Sequence, residues 1–175
     1  MSEAIGPQQL SENTCIGVIG MGYVGLPLAV EFGKHFPTKG FDIADRRIQE
    51  LQNGEDSTLE VQSDELFNAK KLTFMSTYSD LSDVDVFIVT VPTPVDTENR
   101  PDLSALKQAS EMVGSVIRAG NVVIYESTVY PGATEEICLP IIEKISGLRL
   151  NTNFFAGYSP ERINPGDKSH RLPDI

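Results

Sequence analysis

The feature that most constrains this chain is a glycine pattern that follows directly from an apolar strand. Residues 16–19 lead into Gly20, Gly22 and Gly25, which have the spacing G-x-G-x-x-G, and an apolar, helix-forming run follows at residues 26–32. The first glycine permits a tight turn, the second leaves room for a pyrophosphate beside the backbone, and the third lets the helix pack closely on the strand. Free N–H groups and the positive dipole end of the helix then suit an anion. The pattern predicts a dinucleotide-binding turn.

An acidic residue stands at the expected distance from these glycines. Residues 38–43 read as a second strand, and Asp42 lies near its carboxyl end, about 20 positions after Gly20. A carboxylate there accepts hydrogen bonds from the adenosine ribose and repels a 2′-phosphate, which favours NAD over NADP. Arg46 and Arg47 follow and could instead hold a 2′-phosphate, so that alternative stays open. A plain strand–helix turn with Asp42 as a helix N-cap is the other interpretation, and the register of all these features disfavours it.

Size, charge and cysteine content limit the class of protein. The 175 residues are 40% hydrophobic and 22% charged, as expected for one soluble α/β domain. A net charge of −11 argues against a nucleic-acid or anionic-membrane partner, and no stretch resembles a secretory signal or a bilayer span. Cys15 and Cys138 have neither metal-ligand nor disulfide-framework spacing. We therefore expect buried thiols, no metal and a cytoplasmic protein.

Strands and helices alternate along the chain. Further strands are predicted at residues 72–75, 84–91, 121–125 and 153–157, and helices at residues 45–52, after caps at Ser63 and Asp102, and at residues 133–146 with an interruption at Pro140. This alternation predicts an α/β fold with a doubly wound parallel sheet of the Rossmann type. We expect a polar tail at residues 1–13, the Rossmann domain at 14–158, and an irregular segment at 159–175 that leads toward a further, substrate-binding domain.

Three polar clusters follow successive strands at the predicted ligand edge. They are Val91-Pro92-Thr93-Pro94, Glu126-Ser127-Thr128 and Tyr158-Ser159-Pro160-Glu161-Arg162. Taken singly, each has a simple explanation, because prolines stop strands and hydroxyl groups satisfy local backbone. Since the carboxyl ends of parallel strands meet at one edge, the convergence of all three with the glycine turn predicts a functional site there.

These motifs resemble those of the NAD-dependent nucleotide-sugar 6-dehydrogenases, the UDP-glucose/GDP-mannose dehydrogenase family. The matching stretches are residues 20–29, 91–94, 126–132 and 159–162, and the resemblance covers nearly the whole chain. Residues 40–43, 125–132 and 157–168 are most similar to the UDP-N-acetylhexosamine branch, which includes Vi-antigen-type enzymes. Pro165 replaces a second glutamate of the UDP-glucose branch, and Glu126 replaces its lysine. Both departures favour the acetamido-sugar branch.

The resemblance implies oxidation of the C6 alcohol of a UDP-N-acetylhexosamine to the uronic acid with two NAD⁺, as in polysaccharide precursor synthesis. It implies that Thr128 helps to hold the reacting water, and that Glu161 is the acid–base group of thioester hydrolysis. The family's nucleophilic cysteine, its lysine and its UDP-binding domain have no match here. We therefore expect the NAD-binding half of a homodimeric enzyme, inactive by itself.

The expected ligand contacts fall into two sets. The cofactor-binding residues are Gly20, Met21, Gly22, Tyr23, Val24, Gly25, Asp42, Ile43, Arg47, Val91, Pro92, Thr93, Glu126, Ser127 and Thr128. The substrate-binding residues are Tyr158, Ser159, Pro160, Glu161, Arg162 and Ile163.

Other functions share parts of this pattern. UDP-glucose or GDP-mannose could be the substrate, and a β-hydroxyacid dehydrogenase of the 6-phosphogluconate type has the same glycines but leaves residues 159–162 unexplained. A non-catalytic NAD-sensing module is an alternative of another class. A methyltransferase that uses S-adenosylmethionine also has a glycine-rich first turn, but it gives Thr128 and Glu161 no role.

Overall fold

Six four-residue strands form one sheet in the computed structural model, which describes residues 10–95, 97–98 and 100–160. They are β1 (Ile16–Ile19), β2 (Thr38–Phe41), β3 (Leu72–Met75), β4 (Val86–Val89), β5 (Val122–Tyr125) and β6 (Phe155–Tyr158). All neighbouring pairs are parallel, and the spatial order is β3-β2-β1-β4-β5-β6. This order confirms the predicted doubly wound sheet, in which the strand order reverses between β1 and β4.

Helices connect the strands, as right-handed βαβ crossovers require. They are α1 (Gly25–His35), α2 (Asp45–Gln52), α3 (Ser63–Asn68), α4 (Ser104–Val116) and α5 (Leu139–Ser146), with a 3₁₀ turn at Tyr78–Leu81 and a π-helical segment at Thr134–Cys138. Within the residues that the structure describes, no helix is both long enough and apolar enough to cross a membrane.

Each face of the sheet buries its own hydrophobic core. Along β4, Phe87 and Val89 pack with side chains of α4 and α5, whereas Ile88 packs with those of α1, α2 and α3. A strand that is buried on both faces needs apolar residues at every position, which explains the continuous apolar run in the sequence. Full burial of each such side chain stabilises the fold by about 1.5–3 kcal/mol.

The strand ladders are shorter than the apolar runs that predicted them. Val84 was expected in the fourth strand and is fully buried, but its N–H donates to the Leu81 carbonyl (3.1 Å) and closes the preceding turn. Asn121, at the start of the predicted fifth strand, precedes β5: its side-chain oxygen accepts the Arg118 N–H (2.7 Å), and its carbonyl accepts the Phe155 N–H (3.0 Å). The apolar runs therefore predict correctly which residues are buried, but the strands that pair are shorter than these runs.

The helix starts differ from the predicted caps. Ser63 is the first residue of α3 rather than its cap, and its hydroxyl donates to the Gly54 carbonyl (2.7 Å). Gln62 is the N-cap, and its N–H donates to Glu65 Oε2 (3.0 Å). Asp102 precedes the N-cap position of α4 by one residue, yet its Oδ1 accepts the N–H of Ser104 (2.9 Å).

Pro140 interrupts the last helix as predicted. It is the second residue of α5 and directly follows the π-helical segment Thr134–Cys138. Proline has no N–H to donate to the carbonyl one turn before it, and its ring crowds that carbonyl. The wider π turn accommodates both effects.

A buried phenol lies at the end of β5. The Tyr125 hydroxyl is 2.7 Å from Ser110 Oγ on α4, and both residues are fully buried. Ser110 in turn donates to the Leu106 carbonyl (2.8 Å). Burial raises the pKa of Tyr125 well above its ordinary value, because the phenolate would lose its hydration.

This shift makes stability depend on alkaline pH. The folded chain keeps the Tyr125 proton at a pH where the unfolded chain, with an ordinary pKa of about 10, loses it. The stability contribution is therefore complete below about pH 10 and declines as the pH rises above that value. Urea unfolding between neutral pH and strongly alkaline pH should show this decline. Tyr125→Phe should flatten it, because the other alkaline groups are common to both chains. Equal slopes in the two proteins would contradict the assignment.

Candidate functional site

A cleft of about 710 Å³ opens at the carboxyl edge of the sheet, beside the point where the strand order reverses. Segments that follow β1, β2, β4 and β5 line it together with one side of α4. Its lining includes all but one of the residues predicted to bind a cofactor, namely Gly20, Met21, Gly22, Tyr23, Val24, Asp42, Ile43, Arg47, Val91, Pro92, Thr93, Glu126, Ser127 and Thr128.

The three glycines of the turn have different local environments. Gly20 has φ = +100°, a backbone conformation that favours glycine. A methyl group on Gly25 would lie 1.9 Å from the Gly20 carbonyl oxygen and 2.3 Å from Thr90 Oγ1. Gly25 therefore packs beneath the turn and is the one predicted cofactor-binding residue outside the cleft lining. A methyl group on Gly22 would meet no atom within 4 Å, so the space over Gly22 is open.

The backbone after Gly20 offers unused hydrogen-bond donors. Within the part of the chain that the structure describes, the N–H groups of Gly22, Tyr23 and Val24 donate to no acceptor. They precede α1, whose first turn, Gly-Leu-Pro-Leu, brings no acidic side chain to the positive end of the helix dipole. Three donors and this dipole at the edge of a cleft fit a pyrophosphate group.

Asp42 ties the glycine turn to the end of β2. Its Oδ2 accepts the Met21 N–H (2.8 Å), and its Oδ1 accepts the Ala44 N–H (2.9 Å). A carboxylate has about four acceptor sites, so two backbone bonds leave capacity for two hydroxyl donors. The carboxylate therefore orders the protein and can still bind a ribose diol.

Arg47 binds the carbonyl group of the same residue, Met21. Its Nε donates to the Met21 carbonyl (2.8 Å), and its Nη2 donates to Asp56 (2.7 Å). Nη1 lies 3.4 Å from Glu50 Oε2. Because the guanidinium has several protein partners, Arg47 supports the turn as well as lining the cleft.

Hydroxyl groups join the ends of β4 and β5. Ser127 is buried, and its hydroxyl donates to the Val91 carbonyl (2.8 Å). The Thr93 hydroxyl donates to the Thr128 carbonyl in a short hydrogen bond. Thr90 Oγ1 lies 2.9 Å from the carbonyl oxygens of both Ile19 and Gly20 and so links β4 to the glycine turn. The two predicted strand-end clusters therefore form one connected wall of the cleft.

The described residues of the third predicted cluster, Tyr158, Ser159 and Pro160, are not part of this wall. Tyr158 ends β6 and is 46% exposed, and the Ser159 N–H donates to the Tyr125 carbonyl (2.9 Å). Neither these two residues nor Pro160 lines the cleft. Glu161, Arg162 and Ile163 lie outside the described residues, so their predicted roles stay predictions.

Sequence reasoning missed part of the cleft lining. Thr58 reaches the cleft from the loop between α2 and α3. Ala105, Gln108 and Met112 line the cleft from α4. Because these residues are three to four positions apart, they form a stripe on α4 beside its apolar core stripe. This helical spacing is the sequence signal that indicates a shared face.

The two cysteines are poor nucleophile candidates. Cys138 is buried and Cys15 is half-buried, and neither is paired in a disulfide. Burial raises the pKa of each thiol, so both stay protonated at neutral pH. Among the described residues, no group of three or more His, Cys, Asp and Glu side chains is arranged to hold a metal ion.

Comparison with known proteins gives consistent matches. Residues 14–173 match the NAD binding domain of the UDP-glucose/GDP-mannose dehydrogenase family. UDP-N-acetyl-D-glucosamine 6-dehydrogenase of Pseudomonas aeruginosa is 61% identical over 160 residues, which are 91% of this chain and 38% of that protein. The Salmonella typhi enzyme of the same name is 54% identical over the same shares. A ternary-complex crystal structure of GDP-mannose dehydrogenase from P. aeruginosa is similar with a TM-score of 0.83 and 25% identity, over 91% of this chain and 38% of that one. The chain thus spans 38% of the length of each of these relatives.

Two glycine variants separate folding from binding. Gly22→Val should unfold at the same temperature as the unmodified chain, because the space is open and Gly22 is not among the glycines with positive φ. It should weaken NAD⁺ binding by roughly tenfold or more, since the side chain covers the free N–H groups. Gly25→Ala should instead lower stability by about 1–3 kcal/mol through overpacking. Calorimetric titration and thermal unfolding measure both effects, and a Gly22→Val chain that binds NAD⁺ normally would contradict the site.

Proposed function

The chain belongs to the UDP-glucose/GDP-mannose dehydrogenase family and matches its NAD-binding domain, and from this we propose that it is the NAD-binding half of an enzyme that oxidises the C6 alcohol of a UDP-N-acetylhexosamine to the uronic acid. The close relatives named as UDP-N-acetyl-D-glucosamine 6-dehydrogenases support the choice of sugar.

The observation that carries the proposal is the cleft at the switch point of the sheet. It combines the unused N–H groups of Gly22, Tyr23 and Val24 with the Asp42 carboxylate at the end of the neighbouring strand. A dinucleotide needs both features, because its pyrophosphate is an anion and its adenosine ribose presents a diol. The remaining wall, made by the segments after β4 and β5, is where the nicotinamide would lie.

Different residues of the cleft are proposed to bind different parts of the dinucleotide. We assign the pyrophosphate to the Gly20–Val24 turn, the adenosine ribose to Asp42, and the nicotinamide to residues 91–93 and 126–128. Cross-strand bonds from Ser127 and Thr93 fix that last wall before any ligand binds. A preformed wall loses less conformational entropy on binding, which favours affinity.

The reaction needs two oxidation steps at one carbon, so the proposed stoichiometry is two NAD⁺ per sugar. When bound, NAD⁺ accepts the hydride that leaves C6. Thr128 is exposed at the cleft, and the bond from Thr93 to its carbonyl holds its backbone in place. This position suits the proposed role of holding a water molecule near the reacting carbon. Glu161 is proposed as the acid–base group on the family resemblance alone.

Location and assembly are part of the proposal. The two unpaired thiols are compatible with a reducing cytoplasm, where nucleotide sugars are available as substrates. A homodimer is proposed on the family resemblance, and sedimentation analysis of the intact protein tests it.

The substrate proposal predicts a clear preference. The intact protein that contains this chain should oxidise UDP-N-acetylglucosamine or UDP-N-acetylgalactosamine with a kcat/KM at least about a hundredfold above those for UDP-glucose and GDP-mannose. A site that hydrogen-bonds an acetamido group discriminates strongly against analogues that lack it. NADH absorbance should report two NADH per sugar consumed. A preference for UDP-glucose or GDP-mannose, or one NADH per sugar, would contradict the proposal.

The cysteines give a second prediction. Because burial raises both thiol pKa values, neither Cys15 nor Cys138 serves as the nucleophile. Replacing both with alanine in the intact protein should leave kcat within about twofold, as expected for residues that stabilise no transition state. For the same reason, the 175-residue chain alone should show no sustained UDP-sugar-dependent NADH production. A folded double variant that has lost turnover would reassign one of these thiols to catalysis.

A further inference from the structure

Asp56 is a buried carboxylate in the loop between α2 and α3, and its side chain is 1% exposed. Its Oδ1 accepts from Arg47 Nη2 (2.7 Å) and from both the N–H (3.0 Å) and the hydroxyl (2.6 Å) of Thr58. Its Oδ2 accepts the N–H groups of Glu60 (2.9 Å) and Val61 (3.0 Å). Burial alone would raise the pKa of Asp56, but these hydrogen bonds outweigh it and hold the pKa below its usual range. Asp56 is therefore ionised at neutral pH.

The guanidinium of Arg47 is enclosed by its partners. Nε binds the Met21 carbonyl, Nη2 binds Asp56, and Nη1 lies within 3.4 Å of both Glu50 Oε2 and Ser57 Oγ. Its side chain is only 11% exposed. Two carboxylates neutralise its charge, and contacts at all three nitrogens fix the orientation of the guanidinium plane.

This arrangement bears on the choice between two cofactors. NADP differs from NAD by a phosphate on the adenosine ribose, and arginine is the side chain best suited to bind that group. Arg47 lines the same cleft as Asp42, and both bind backbone groups of Met21, Asp42 its N–H and Arg47 its carbonyl. An unrestrained Arg47 would be a phosphate ligand within reach of the ribose site. Because Arg47 is bound to Asp56 and Glu50, its charge is neutralised and its side chain is held in one orientation.

We propose that Asp56 is a positioning residue that sets cofactor selectivity, because it holds Arg47 against the glycine turn and withholds its charge from a 2′-phosphate. The inference rests on the proposed binding of NAD in the cleft. Asp42 repels the 2′-phosphate directly, and Asp56 removes the nearby cation that could offset that repulsion. The loop between α2 and α3 thereby acts on a ligand group through Arg47.

The test compares NAD⁺ and NADP⁺ affinities by calorimetric titration of the full 175-residue chain. Asp56→Asn keeps the side-chain shape and one acceptor oxygen but removes the charge that holds Arg47. The ratio Kd(NADP⁺)/Kd(NAD⁺) should fall about tenfold, the contribution of one charge-assisted contact to phosphate. A ratio measured on the same sample is not changed by a loss of folded protein, which lowers only the binding stoichiometry.

Double variants identify the cation that is released. Adding Arg47→Ala to Asp56→Asn should restore the ratio of the unmodified chain, whereas adding Arg46→Ala, on the exposed neighbour, should leave the fall in place. Glu50→Gln is a second single variant that leaves every hydrogen bond of Asp56 intact, and it should lower the ratio by a smaller factor, about twofold to threefold, as expected for a weaker ion pair.

The possible results distinguish a failure of the Asp56 proposal from a failure of the proposed NAD binding. An Asp56→Asn chain with an unchanged ratio would overturn the inference alone, as would a fall that persists without Arg47. An unmodified chain that binds neither dinucleotide would overturn both the inference and the proposed function.

Discussion

The turn between β1 and α1 depends on one steric constraint, the absence of a side chain at Gly25. Its α-carbon faces the Gly20 carbonyl and the Thr90 hydroxyl so closely that a methyl group would lie 1.9 Å from the former. This contact brings the helix onto the strand, and Thr90 ties the turn to the next strand of the sheet. As a result the amino end of α1 and three unused N–H groups meet at the switch point, where the cleft opens. The proposed pyrophosphate site is thus a consequence of close packing.

The same turn is also held by charged groups that we propose to bind or select the ligand. Asp42 fixes the Met21 N–H, and Arg47 fixes the carbonyl of the same residue. Asp56 then fixes Arg47. Together these side chains stabilise the turn and shape the end of the cleft that we propose for the adenosine ribose, where Asp42 and Arg47 line it. A substitution in this network is expected to change selectivity before it changes the fold, since the apolar cores on the two faces of the sheet lie elsewhere.

Much of the fold followed from local sequence signals, and the failures have physical causes. The glycine spacing, Asp42 and the alternation of strands and helices predicted the sheet, because each of these features acts within one βαβ unit. The Ser63 cap was wrong because a distant carbonyl, that of Gly54, competes for the hydroxyl. Thr58 was missed because its position depends on Asp56, a neighbour whose burial no local pattern reports. In the candidate site, the strand-end residues follow from the order of the strands, whereas the helical spacing of Gln108 and Met112 does not by itself say which side of α4 faces the cleft.

In the proposed function, the turn after β1 receives the pyrophosphate of NAD⁺. Two-dimensional ¹H–¹⁵N spectra of the 19.2 kDa chain, recorded during titration with NAD⁺, test it at the atoms concerned. The amides of Gly22, Tyr23 and Val24 should shift most and become protected from hydrogen exchange, because they gain an acceptor. Saturable NAD⁺ binding that leaves these three amides unshifted and exchanging as before would contradict it.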